Sequence, residues 1–143
     1  MLMRKPPRQN PTTQQVKAAF SIMDRLFAQL RTGEIDTIGD IPVIKRVEGI
    51  YSDLRPPLLG WIDTWEFILK ETGDSIDLKP LFEIYLCLQD DKPMTRQMVN
   101  EGEKVQRRLR HIYSQQDIHL FARIAQQRQT AYAINKHFYL ESE

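Results

Sequence analysis

The sequence predicts an all-α fold, a compact bundle of about five to six helices with little or no sheet. Three observations carry that expectation. Apolar residues recur at three- and four-residue spacing over residues 13–32, 57–71 and 94–138. No stretch sustains the apolar–polar alternation of a half-buried strand. Gly and Pro punctuate the periodic runs so that only short loops separate them. With 143 residues, 41% hydrophobic and 27% charged, the chain has the size and balance of one folded domain.

In order along the chain, residues 1–11 carry Arg4, Lys5 and Arg8 among three prolines and read as a flexible basic arm. Residues 12–143 read as a single helical domain. Thr12-Thr13-Gln14-Gln15 offers a Thr-x-x-Gln capping box, and Val16, Ala19, Phe20, Met23, Leu26, Phe27 and Leu30 form one stripe that stops at Gly33. Thr32–Asp40 reads as a loop. Pro42 suits the first turn of a second helix with Ile44, Val47, Ile50 and Tyr51 on its face, ended by Arg55-Pro56-Pro57. Leu58, Trp61, Ile62, Trp65, Ile68 and Leu69 mark a third helix that stops at Thr72-Gly73. Asp77-Leu78-Lys79-Pro80 opens a short apolar segment through Leu88, and Asp90-Asp91-Lys92-Pro93 closes it. The lone Cys87 lies in that segment and reads as a small buried hydrophobe. Met98, Val105, Leu109 and Ile112 mark the apolar edge of a helix from about residue 94 to Tyr113. Ser114–Asp117 offers a break and an N-cap. Ile118, Phe121, Ile124, Ala125, Ile134 and Phe138 mark a last helix.

Charge is segregated along this chain although the total is only +1. The first ten residues hold three bases and no acid. Residues 11–93 hold nine bases and fourteen acids, an acidic body, while residues 94–143 hold eight bases and five acids, a basic helical part. Locally concentrated positive charge points to a polyanion or an acidic protein surface as partner. The sharpest element is the helix near 94–113. Lys104, Arg107, Arg108 and His111 fall at i, i+3, i+4 and i+7, which puts them on one face, and Arg110 widens that face. Guanidinium groups in such a row match the geometry of phosphate oxygens. Arg123 and Arg128 extend the basic set, and the arm could add Arg4, Lys5 and Arg8. Glu101 and Glu103 stand close enough to pair with some of these bases. The expected partner is therefore nucleic acid, DNA or RNA, or an acidic protein surface. Contact between the basic end of one copy and the acidic body of another would give a head-to-tail homo-oligomer.

Leu120–Asn135 resembles the helix-turn-helix of repressor-type regulators, on the strength of Arg128-Gln129-Thr130 followed at short range by Ile134. The resemblance implies that Gln126, Gln127, Arg128 and Gln129 reach base edges in the major groove. Three positions depart from the motif. Phe121 stands where it prefers a small residue, Ala125 where it turns on glycine, and Gln126 where it buries an aliphatic side chain. One continuous helix is the competing reading.

Other constellations point to structure. Trp61 and Trp65 share the stripe of Leu58, Ile62 and Leu69 and read as core. Tyr51 and Phe67 complete that aromatic set. His111, His119 and His137 are too scattered for a metal site, and Asp74 and Asp77 flank a helix start, where carboxylates complement the dipole. No nucleophile elbow, phosphate-cradling loop or dinucleotide fingerprint is present. The expectation is a non-enzymatic cytoplasmic protein with no cofactor, no metal, no small-molecule substrate and no membrane span.

Overall fold

A computed structural model describes residues 7–33, 35–45 and 49–127. Its elements run α1 (Thr13–Thr32), β1 (Thr37–Ile38), β2 (Ile41–Lys45), β3 (Tyr51–Asp53), α2 (Arg55–Thr72), α3 (Lys79–Gln89) and α4 (Arg96–Gln115). Helical turns over 118–127 form α5. The molecule is mostly helical but not purely so.

The local signals at α1 act as read. Thr12 Oγ1 accepts from Gln15 N–H at 3.1 Å, and the Gln15 side-chain oxygen accepts from Thr12 N–H at 2.8 Å. These two bonds satisfy donors that a bare helix start would leave open. At the other end Gly33 takes φ 73°, the left-handed cap. Val16, Phe20, Met23, Leu26, Phe27 and Leu30 are all buried.

The expected helix beginning at Pro42 does not form. In its place β1, β2 and β3 make a three-stranded antiparallel sheet in that order. Ile38 pairs with Ile41 across the two residues Gly39 and Asp40, and Gly39 sits at φ 61°. A positive φ at the first turn residue gives the twist that two-residue hairpins need. The β-branched Ile41, Val43 and Ile44 favour the extended state. Pro42 is tolerated because Val43, not residue 42, donates to Asp36 O at 2.9 Å. The Pro42 carbonyl accepts from Leu54 N–H at 2.9 Å. The β2–β3 register pairs Val43 with Asp53, Ile44 with Ser52 and Lys45 with Tyr51. Val47 lies outside the described residues.

The prolines after β3 open α2, occupying its first turn, where a missing N–H costs nothing. Asp53 prepares that start. Its Oδ1 accepts from Arg55 N–H at 3.0 Å, and both carboxylate oxygens pair with the Arg55 guanidinium at 3.0 and 2.9 Å. The Arg55 side chain holds the Asp53 carboxyl below the usual carboxylate range, against a smaller opposing effect of burial. Arg55 is raised in turn.

α2 buries Leu58, Ile62, Trp65, Ile68 and Leu69 and ends at Gly73, φ 76°. α3 starts with Pro80 in its first turn and buries Leu81, Ile84 and Leu88, while Cys87 is only half-buried. Thr95 Oγ1 caps α4 by accepting from Met98 N–H at 3.1 Å. α4 packs against both α1 and α3 and buries Val99, Gly102, Val105, Gln106 and Leu109. The break expected at 114–117 is present. Asp117 Oδ1 accepts from His119 N–H at 3.2 Å as α5 begins. The helix continues through Ala125, the position at which a helix-turn-helix would turn. Arg128-Gln129-Thr130, Ile134 and Phe138 lie outside the described residues. One hydrophobic cluster draws on all five helices together with Ile44 and Leu54.

Candidate functional site

α4 is anchored along one side and open along another. Its buried positions 99, 102, 105, 106 and 109 turn Lys104, Arg107, Arg108 and His111 outward, and all four are exposed. They line one groove of about 590 Å³. The opposite wall is Asp74, Ser75 and Ile76 from the α2–α3 connection, and Ile112 adds a second apolar side chain. Ile76 and Ile112 are half-buried, so the groove combines a row of bases with an aliphatic strip.

The charges in this row are not equivalent. Lys104 Nζ lies 3.2 Å from Glu101 Oε1, an exposed pair that holds little energy. No carboxylate of the described residues lies within ion-pairing distance of Arg107 or Arg108. Among the described residues those two guanidinium groups meet no acceptor, which leaves their donors for a ligand or for water. Arg107 also borders two neighbouring clefts, one toward α1 and one toward the start of α4.

Arg110 belongs to a different surface. Its Nη1 contacts both Asp24 carboxylate oxygens at 3.0 and 3.1 Å, and its guanidinium carbon sits 5.3 Å from the centre of the Phe20 ring. It closes the α1–α4 seam and does not widen the basic row. The same seam holds Arg31 against Glu103 at 3.4 Å. Arg123 is exposed on α5 and does not line the groove. Arg128, Arg4 and Lys5 lie outside the described residues.

Arg8 is turned onto the protein. Its Nη2 donates to Gln115 O at 2.6 Å. Beside it Gln9 N–H donates to Asp117 Oδ1 at 3.2 Å, and Ile118 N–H donates to Gln9 O at 2.8 Å. Partial burial pushes the Asp117 carboxyl up. The N–H groups of Gln9 and His119, with the charges of His119 and Arg8, outweigh that and hold it below its ordinary value. The root of the arm is thus strapped to the corner between α4 and α5.

The tryptophans are structural. Trp65 is 1% exposed, and Trp61 donates its indole N–H to Gln106 Oε1 at 2.8 Å. Phe20 meets the Trp61 ring edge-on at 4.9 Å. Between α2 and α5 these rings border an apolar cleft of about 350 Å³. Tyr113 stacks on Phe121 there at 4.3 Å, and burial raises the Tyr113 hydroxyl above its ordinary pKa.

Sequence reasoning named the basic row but not its opposite wall. It assigned Asp74 and Asp77 together to helix capping. Asp77 does cap, accepting from Lys79 N–H at 2.9 Å, whereas Asp74 stands in the groove. No local pattern distinguishes the two, because the groove forms only when the α2–α3 connection folds over α4.

Among the described residues, no three His, Cys, Asp or Glu side chains converge as a metal centre requires. No helix among them is long and apolar enough to cross a membrane. Comparison with protein-family models, with curated proteins and with solved structures finds no significant match to this chain, so the functional reading rests on the groove.

Proposed function

We propose that this protein binds nucleic acid, alone or within a nucleoprotein assembly, through the open basic face of α4, in an accessory or regulatory role in the cytoplasm. The observation that supports the reading is the row Lys104, Arg107, Arg108 and His111 along one groove, with both arginines free of carboxylate partners among the described residues. Phosphate oxygens are the acceptors that a row of charged donors on a rigid helix fits best. Chemistry on a substrate has no equivalent support in the groove, which joins bases to a single carboxylate and two aliphatic side chains.

The test is anisotropy of a fluorescent oligonucleotide over a range of salt. Affinity falls steeply with salt, because each phosphate contact releases condensed counterions. Reversing both arginines (Arg107→Glu with Arg108→Glu) abolishes binding while the far-UV circular dichroism is unchanged. Unchanged affinity in a folded double variant overturns the reading.

A second reading, docking of a protein partner, draws on the small sheet. Ile38, Ile41 and Tyr51 share the sheet face opposite Ile44 and are 57%, 43% and 46% exposed. Recovery of a discrete protein partner after nuclease treatment, with no oligonucleotide binding, would favour it.

A further inference from the structure

We infer that the α4 groove takes a single nucleic-acid strand in preference to a duplex. The inference rests on the nucleic-acid reading above and adds which form of the polymer the groove selects.

The first argument is shape. A helix that reads duplex DNA must stand proud of its protein, because the major groove is about 12 Å wide and a helix with side chains fills it. α4 is set into the body. Gly102 is seated against Ile84 of α3 and Phe27 of α1, and Arg110 and Glu103 tie its flank to α1. The remaining open face is walled by Asp74, Ser75 and Ile76. The ligand must therefore enter the protein's groove, since the helix cannot enter the ligand's.

Chemistry gives the second argument. A duplex offers phosphates outward and keeps its bases stacked inside. Facing a duplex, Ile76 and Ile112 would meet only charged backbone, and the Asp74 carboxylate would repel phosphates at close range. An unpaired base changes each of these contacts. Its face covers the aliphatic strip, its exocyclic N–H groups can donate to Asp74, and the guanidinium planes of Arg107 and Arg108 supply stacking surface. A groove of about 590 Å³ is within the range that holds a ligand of nucleotide size.

Length gives the third. From Lys104 to His111 the helix rises about 10 Å. Adjacent phosphates of an unpaired strand stand farther apart than the ~3.4 Å per nucleotide of a duplex strand, so the row meets about two of them. The row is long enough to track a short stretch of one strand and presents no second row for its complement.

The experiment compares three fluorescent probes of equal nucleotide count on the full chain at low salt: a mixed-sequence DNA single strand, the same sequence as RNA, and a DNA hairpin duplex. Either single strand, DNA or RNA, binds at least ten-fold tighter than the hairpin. The slope of log affinity against log salt for the single strand is about −1.4, as expected for two phosphates. Ser75→Glu, at an exposed position on the groove wall, weakens single-strand binding at least five-fold with no change in circular dichroism. Equal or tighter binding of the hairpin overturns the strand preference and leaves the nucleic-acid reading standing. Full single-strand affinity in Ser75→Glu overturns the placement in this groove. Failure of all three probes to bind overturns both the preference and the reading beneath it.

Discussion

Gly102 lies close against the neighbours of α4. A Cβ there would stand 2.6 Å from Ile84 Cδ1 and 3.0 Å from Phe27 Cε1. Two effects of Gly102→Ala oppose each other. Alanine is the better helix former by about 1 kcal/mol, but overpacking a filled site costs about 1–3 kcal/mol. Ile84 and Phe27 are 0% and 4% exposed, so neither can swing into solvent to make room. Overpacking wins, and the variant loses up to about 2 kcal/mol in urea unfolding; a gain would show that Ile84 repacks freely. Gln106 is the other unusual residue of this helix. It is the buried polar side chain among the described residues, held there because its oxygen takes the Trp61 indole N–H. Its amide nitrogen has no hydrogen-bond partner among them, so the contact with Trp61 is kept at a desolvation cost.

At the scale of elements, the hairpin and the helices differ in how their determinants are spread. Ile44, Val47, Ile50 and Tyr51 imitate a helical stripe, and Pro42 imitates a helix start. The deciding signal is shorter: Gly39-Asp40 set between Ile38 and Ile41 is a two-residue hairpin turn. Gly39 is needed for its backbone alone, since nothing lies within 4 Å of where a Cβ would sit. Gly39→Val should therefore cost about 1–2 kcal/mol from the positive φ, and Gly39→Asn much less, because asparagine tolerates that region. Chemical denaturation of the two variants checks the order. Equal losses would mean that side-chain packing, not backbone conformation, sets the turn. The helices were easier to read. Thr12 with Gln15, Gly33, Gly73, Pro80 and Asp117 each act within a few residues of the end they define.

At the scale of the whole molecule, the charges separated in sequence are brought together in space. Asp24 of the acidic body reaches Arg110, and Glu103 of the basic part reaches Arg31. Folding thus places Arg110 on the α1 seam against Asp24 and leaves Arg107 and Arg108 in the groove with no carboxylate partner among the described residues. That placement has a consequence for binding. Arg110→Ala should leave oligonucleotide affinity within two-fold of the parent. It should cost about 1 kcal/mol of stability from an exposed ion pair and a ring contact. Arg108→Ala should leave stability nearly unchanged and make the single-strand salt slope shallower by about 0.7. Paired anisotropy and denaturation measurements read both quantities. Equal losses of affinity in the two variants would show that the seam and the groove act as one surface.

The sequence by itself determined where α1, α2, α3 and α4 lie, most of what α1 and α2 bury, and that Lys104, Arg107, Arg108 and His111 share a face. Each of these follows from a 3.6-residue period or a cap within one segment, and neither needs the rest of the chain. Only the tertiary structure decided that Asp74, Ser75 and Ile76 wall that face, that Arg110 pairs with Asp24, and that Gln106 is buried under Trp61. Those contacts join residues dozens of positions apart, and they exist only because α4 is clamped between α1 and α3. The same packing turned an exposed basic rod, as the periodicity alone would draw it, into the floor of a groove.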